Sequence, residues 1–202
     1  MSAPGAPPLS TGEAYRLWAE TYDEENPLST LDALAVSFLT PPLAGASLLD
    51  AACGTARRLV FHDGVRPARA FGADLVFEML HRGRRDARRP RGTAAADLGA
   101  LPFPAARFAV VWCRLASGHL PRLAPLYREL ARVLLPDGRA VVTDFHPEAI
   151  RAGHRRIFRD AGGRSREVMH VVHEAAAHER EAASAGLAFE ARLEYGIGGE
   201  VR

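Results

Sequence analysis

Short apolar runs and longer amphipathic stretches alternate along most of this chain. The apolar runs fall at 47–52, 69–74, 93–97, 108–113 and 139–144, with helix-like stretches or turns between them at 56–62, 76–89 and 121–134. Strands that alternate with helical patterns predict βαβ units and a parallel sheet, because two parallel strands can be joined only through a crossover. Asp137-Gly138 marks a tight turn into the last of these strands. Ahead of the alternation, residues 12–25 show helical spacing, with Tyr15, Trp18, Ala19 and Tyr22 grouped near one face. Ser29 or Thr30 is placed to cap a second helix through Leu39, which Pro41-Pro42 ends. Beyond Pro147 the pattern weakens. Residues 155–173 predict a hairpin, with strands at 156–159 and 167–172 around Gly162-Gly163. Residues 174–185 are helical by propensity, and 187–195 alternates as a strand does.

Composition narrows the class. A chain of 202 residues fits one domain with a sizeable core. With 48% apolar and 25% charged residues and a formal charge of +2, it reads as a soluble globule rather than a polyelectrolyte. Every basic side chain counted is Arg, since the chain has no Lys; it also has no Gln and a single Asn, Asn26. That bias fits a GC-rich genome, so arginine abundance does not by itself point to nucleic acid. Six of the ten residues from Arg82 to Arg91 are Arg, which reads as a solvated helix end. Cys53 and Cys113 are too few for a disulfide framework or a cysteine zinc site and read as small apolar residues. His170 and His173 stand three apart with no third ligand nearby, so no metal site is expected. Residues 1–10 are Pro/Ala-rich, read as disordered, and lack the features of a signal peptide. No apolar segment is long enough to span a membrane. A cytoplasmic protein that binds neither membrane nor nucleic acid is the expectation.

The candidate chemistry begins at Leu48-Leu49-Asp50-Ala51-Ala52-Cys53-Gly54-Thr55. An apolar run ends on an acid, and a small-residue turn follows. Small side chains let the backbone curl and approach a ligand closely, and the amides of a following helix start favour an anion. Asp74 ends the next predicted strand, about where a ribose-binding acid is expected. These features point to an adenosine-containing cofactor on an open α/β sheet. The dinucleotide-binding Gly-x-Gly-x-x-Gly pattern is lacking, which argues against a nicotinamide dehydrogenase.

Five segments, in order, resemble the class I S-adenosylmethionine-dependent methyltransferases, in particular the small-molecule, ubiquinone/menaquinone type. They are Tyr15-x-x-Trp18-Ala19-x-x-Tyr22-Asp23; Leu49-Asp50-Ala51-Ala52-Cys53-Gly54-Thr55; Gly72-Ala73-Asp74-Leu75-x-x-Glu78-Met79-Leu80; Ala96-Asp97-Leu98-x-x-Leu101-Pro102-Phe103; and Glu129-Leu130-x-Arg132-Val133-Leu134-x-Pro136-Asp137-Gly138. The resemblance implies an α/β fold: a Rossmann-like, doubly wound, mostly parallel sheet with helices on both faces. A disordered tail and an N-terminal helical cap would occupy 1–40 and the cofactor-binding domain 41–202, with 155–173 as a hairpin insertion. It implies S-adenosylmethionine as cofactor. Asp74 would accept from the ribose diol, Asp50 would hold the methionine ammonium, and Asp97 would accept from the adenine amino group. Leu75 or Leu98 would cover a ring face, the Ala52-Cys53-Gly54 backbone would pack on the methionine part, and Tyr22 would close the pocket from above.

The chain departs from the family pattern in three places. The first motif carries Ala52, Gly54 and Ala56 where three glycines are usual, so a positive φ at Ala56 would strain the turn. Phe108-Ala109 lacks the usual acid, and the sequence reaches Arg202 soon after the expected sixth strand. A sheet without the last strand would expose an edge that could pair with a second copy as a homodimer. For the chemistry, orienting an acceptor in line matters most, and a base helps a hydroxyl or acidic carbon. His119 follows the fourth strand and His146 the fifth, so both are candidate bases; Arg114 could hold an anionic substrate group. No Asn-Pro-Pro-Tyr-like run follows the fourth strand, which argues against methylation of nucleic-acid bases. The expected function is methyl transfer to a small-molecule acceptor in secondary metabolism. The alternative is a non-catalytic domain with a degenerate cofactor site.

Overall fold

A computed structural model describes residues 7–61, 66–87 and 92–195. Helix α1 (Thr11–Trp18) starts with a capping box: Ser10 accepts from the Glu13 N–H, and Glu13 reaches back to the Ser10 N–H. The expected helix over 12–25 ends early, at Trp18; residues 19–24 continue as turns, with Thr21 N–H bonded to the Trp18 carbonyl and Glu24 N–H to that of Thr21. Helix α2 (Pro27–Leu39) begins before Ser29. Asn26 is the cap and Ser29 its reciprocal partner, with Pro27 at the first helical position, where its missing N–H is no loss.

The expected strands form β1 (Ser47–Ala51), β2 (Arg69–Asp74), β3 (Thr93–Ala95), β4 (Phe108–Arg114) and β5 (Leu134–Thr143). All pairings are parallel, in the order β3-β2-β1-β4-β5. Chain direction across the sheet reverses between β1 and β4, and the crevice beyond the strand ends there is where such sheets take ligands. Alternation along β1 and β4 feeds two cores. Leu49, Ala51, Val111 and Cys113 pack with Leu126, Leu130 and Val133 of α4 (Ala124–Val133) on one face. Leu48, Val110 and Trp112 pack with Val36 of α2 and Leu80 of α3 (Phe77–Gly83) on the other. Burying each such Leu or Val is worth about 1.5–3 kcal/mol, so the central strands are the most firmly held part of the fold.

Several boundaries differ from the sequence reading. Of the stretch 56–62, the described residues 56–61 yield a 3-10 turn, Arg57–Leu59, in place of a helix, and α3 stops at Gly83, followed by turns to 87. Gly83 lies so close to the Thr55 carbonyl that a Cβ there would overlap it. The remainder of the Arg82–Arg91 run lies outside the described residues. Asp137-Gly138 does not precede β5 but sits inside it, at a bulge where the β4–β5 register shifts; Asp137 has φ +63°.

After α5 (Pro147–Arg151), the hairpin is present as β6 (Ile157–Arg159) and β7 (Ser165–Glu167), antiparallel. Its second strand is earlier and shorter than 167–172. Asp160 fixes the turn by accepting from the Gly162 and Arg164 amides. The free edge of β7 is taken by Leu9, whose N–H donates to the Glu167 carbonyl and whose carbonyl accepts from Met169. Residues 7–10, expected to be disordered, are therefore ordered by this pairing and by the cap at Ser10; residues 1–6 lie outside the described set. Helix α6 (Ala175–Ser184) falls as expected. Residues 187–195 form no strand: Phe189 and Leu193 stay exposed, and Glu190 pairs with Arg139 through its side chain instead. Alternation without a partner strand is not enough to make one.

Candidate active site

The turn after β1 has three alternate residues in the left-handed region: Ala52 at φ +78°, Gly54 at +57° and Ala56 at +58°. For an alanine this costs about 1–2 kcal/mol, so the turn is held against its own preference. The Ala52 and Cys53 amides both donate to the Ala73 carbonyl on β2, at 2.7 and 2.8 Å. The Gly54 amide donates to Asp74 Oδ2 at 2.7 Å, and the Val76 amide donates to Asp74 Oδ1 at 2.9 Å. One carboxylate at the end of β2 thus ties the turn to the start of α3. Cys53 Sγ fills the space above Gly72, where a Cβ would come within 2.6 Å of it, and burial pushes the thiol well above its ordinary range.

Asp50, the penultimate residue of β1, is 2% exposed, and its Oδ1 has no hydrogen-bond partner among the described residues. Burial pushes its carboxyl up to about 7; Arg114 opposes that shift, while Asp32 and Asp74 add to it. Burial also raises Asp74, against the two amides that hold its charge. Tyr22 covers the turn. A Cβ on Gly54 would lie 2.9 Å from Tyr22 Cε1, so only glycine admits the ring. Arg57 stacks over Tyr22 at 5.4 Å and donates to the Asp23 carbonyl, while Thr55 Oγ1 donates to the Asp23 carboxylate at 2.5 Å. Leu75 is 54% exposed beside Asp74, and Leu98 packs partly against the α4 core. Asp97 is exposed, with Oδ1 accepting from the Gly99 amide at 2.6 Å as the cap of its own turn.

Two residues expected near the acceptor have other work. Arg114 is buried in a two-nitrogen ion pair with Asp32 of α2, which also accepts from Thr143 at 2.6 Å. It fastens α2 to β4 and β5 and is not free for a substrate anion. His146 is the N-cap of α5: its Nδ1 accepts from the Glu148 amide at 3.1 Å and its Nε2 lies 3.7 Å from Glu194. It joins none of the hydrogen bonds described below.

His119, in the turn after β4, does enter a buried polar cluster. Arg156 Nη2 donates to the Tyr15 hydroxyl at 2.8 Å, leaving that hydroxyl to donate to His119 Nε2 at 2.9 Å. Burial, with Arg156 next, holds His119 down to about 3, so its ring is neutral near pH 7. Beside this row, Asp144 at the end of β5 accepts from Ser117 Oγ at 2.5 Å, the Phe145 amide at 2.7 Å and His170 Nε2 at 3.3 Å. These bonds and Arg156 hold Asp144 at about 2 against the cost of its burial. Sequence reasoning missed Tyr15, Asp144, Arg156 and His170 as site residues. Tyr15 was visible only as part of the cap, and Arg156 and His170 flank a hairpin whose pattern is weak. Among the described residues no His/Cys/Asp/Glu cluster suits a metal.

Residues 49–142, the stretch that builds β1 through β5 and this turn, match the family model of the methyltransferase domain. This stretch of the chain carries a methyltransferase domain. The chain is 41% identical over 88 residues to the malonyl-(acyl-carrier protein) O-methyltransferase of Halorhodospira halophila, covering 42% of this chain and 30% of that protein. It is 30% identical over 155 residues to the 27-O-demethylrifamycin SV methyltransferase of Amycolatopsis mediterranei, covering 71% and 56%. It therefore spans less than two thirds of either curated relative. An S-adenosylmethionine-dependent methyltransferase from Mesorhizobium loti superposes with a TM-score of 0.64 at 24% identity, over 78% of this chain and 81% of that one, which shows a shared fold. The residues around this turn fit S-adenosylmethionine. The unbonded, buried Asp50 oxygen suits an ammonium, and Gly54, bare of a Cβ, permits a close approach to the turn, made in this structure by the Tyr22 ring.

Proposed function

We propose that this domain transfers a methyl group from S-adenosylmethionine to a small-molecule acceptor in secondary metabolism. The observation that carries the reading is the pairing of Asp50 and Asp74 around one glycine turn, with an Asp50 oxygen left unbonded in a buried place. A buried polar atom without a partner is costly and calls for a ligand or water. Support for a small acceptor comes from the relative named for 27-O-demethylrifamycin SV; the other is named for a malonyl group on a carrier protein. The two free, buried cysteines suit the cytoplasm. No helix among the described residues is long and apolar enough to cross a membrane.

S-adenosylmethionine, when bound, supplies a methyl group already activated on sulfur. The chain's own task is to bind and orient. Each carboxylate oxygen of Asp74 keeps a lone pair beyond the one its backbone amide uses, enough to accept from a ribose diol. Asp50 would hold the methionine ammonium directly or through water, and the Ala52-Cys53-Gly54 backbone would line the methionine part. Asp97 would accept from the adenine amino group between Leu75 and Leu98. Tyr22 must lift from Gly54 to admit the cofactor and would then exclude water above it. With Nε2 occupied by Tyr15, His119 would reach an acceptor only through the Tyr15 hydroxyl.

Calorimetric titration with S-adenosylhomocysteine tests the reading. The wild type should bind, and Asp74→Ala should lose roughly 100-fold or more in affinity, about 2.7 kcal/mol. Asp74→Asn, which spares one amide acceptor, controls for loss of fold and should also bind poorly. Unchanged affinity in both would overturn the assignment. The tyrosine pressed onto Gly54 favours one other reading, a degenerate site that admits no cofactor. A melting scan separates the two. Ligand at 100 times its dissociation constant adds about 2.7 kcal/mol, or roughly 5–10 °C for a chain of this size, and a degenerate site gives no shift.

A further inference from the structure

The cluster beside the cofactor turn holds two buried nitrogen atoms with nothing to bind. Arg156 is 8% exposed; its Nη2 donates to Tyr15, and its Nη1 has no hydrogen-bond partner among the described residues. The His170 side chain is 7% exposed, and with Nε2 turned to Asp144 its Nδ1 is likewise without a partner. Asp144 balances the charge of the guanidinium as an ion pair but does not hydrogen-bond Nη1. It lies 4.0 Å away, beyond hydrogen-bond reach, and already accepts from Ser117, Phe145 and His170. Both orphan groups border the same ring, with Arg156 Cζ 5.7 Å and the His170 ring 5.5 Å from the centre of Phe145. Leaving a buried donor without a hydrogen bond costs about 1–3 kcal/mol even where its charge is balanced, so the pair needs an explanation.

We propose that Arg156 and His170 receive an acidic oxygen of the methyl acceptor, making the acceptor an organic acid, carboxylic or phenolic, rather than an amine or a neutral alcohol. The inference rests on the methyltransferase reading above and names its substrate class. A guanidinium offers only donors and stays charged, so it selects an acceptor oxygen and repels an ammonium. An acid that arrives protonated gives its proton to His170 Nδ1, which then donates back to the acid's oxygen while Asp144, bonded to Nε2, balances the imidazolium; an acid that arrives ionised is held by Arg156, and Nδ1 donates to it only after taking a proton from solvent. The position suits methyl transfer. The Tyr15 ring, bonded to Arg156, lies 5.9 Å from the Tyr22 ring that covers Gly54. Arg156 and His170, which flank the hairpin, lie beyond the 49–142 methyltransferase match, so acceptor choice is set by residues outside the common cofactor core.

Matched probes test this on the full chain saturated with S-adenosylhomocysteine. Benzoate is compared with benzamide, hexanoate with hexanamide, and 4-nitrophenolate with 4-nitroanisole, with binding read by ligand-observed NMR. At least one acid should bind about tenfold or more tighter than its neutral partner. That preference should vanish in Arg156→Gln and persist in part in Arg156→Lys, while affinity for S-adenosylhomocysteine stays within about twofold. Should Arg156→Gln fail to fold, His170→Asn carries the comparison and should reduce the preference. Equal binding of acids and neutral partners, no binding of any acid, or a preference that survives these substitutions overturns the inference. Failure of the wild type to bind S-adenosylhomocysteine instead refutes the cofactor reading, which keeps the two failures apart.

Discussion

A carboxylate sealed at the end of a central strand resists ionisation, and Asp50 shows how this shapes both stability and binding. Burial raises it to about 7, above its ordinary 3.8. Between those values the folded chain keeps a proton that the unfolded chain releases, so the contribution of Asp50 to stability falls as pH rises from about 4 to about 7. Asp50→Asn should therefore melt higher than the wild type at pH 8, with the gap shrinking toward pH 4, and it should bind S-adenosylhomocysteine more weakly. Calorimetric melting across that range checks the sign; a gap that widens toward pH 4 would contradict it. Ala56 offers a second test. At φ +58° its methyl is strained, and Ala56→Gly should stabilise the fold by about 1 kcal/mol in urea unfolding, offset in part by the glycine's greater unfolded freedom. Both residues were legible in the sequence, since an acid at a strand end and an alanine in a glycine position are local signals. The roles of Arg114 and Tyr15 were not. Arg114 is claimed by Asp32, 82 positions away, and Tyr15 by Arg156, 141 positions away, pairings with no local signature.

At the scale of elements, the strands were legible because each is an apolar run between turn residues, and helix ends were not. Asn26 outcompeted Ser29 as the α2 cap because Pro27 suits the first helical position and Ser29 answers as the reciprocal partner three residues on. Residues 187–195 carry a strand pattern but find no strand to pair with, which the pattern itself cannot reveal. The N-terminal cap and the hairpin form one unit. Trp18 of α1 stacks on Phe158 of β6 at 4.9 Å, and Leu9 pairs with the edge of β7. Phe158→Ala should cost about 3–5 kcal/mol if the whole fold feels the cavity. Because this cluster is separate from the sheet cores, the loss should appear first as faster hydrogen exchange in α1 and β7, with β1 and β4 still protected. Uniform loss of protection across the sheet would show that cap and sheet unfold as one.

For the molecule as a whole, the proposed cofactor turn lies after β1 and against the end of β2, while the cap and the segments flanking the hairpin bring Tyr15, Arg156 and His170 over the ends of β4 and β5. The cofactor half repeats a common pattern and could be read from spacing. The proposed acceptor half is assembled from residues far apart in the chain and becomes visible only in three dimensions. The structure of the chain bound to S-adenosylhomocysteine tests the central claim most directly. It should show the ribose diol on Asp74, the amino group facing Asp50 Oδ1, and Tyr22 lifted from Gly54. A ligand that binds with Tyr22 still seated on the glycine and neither carboxylate in contact would contradict the account.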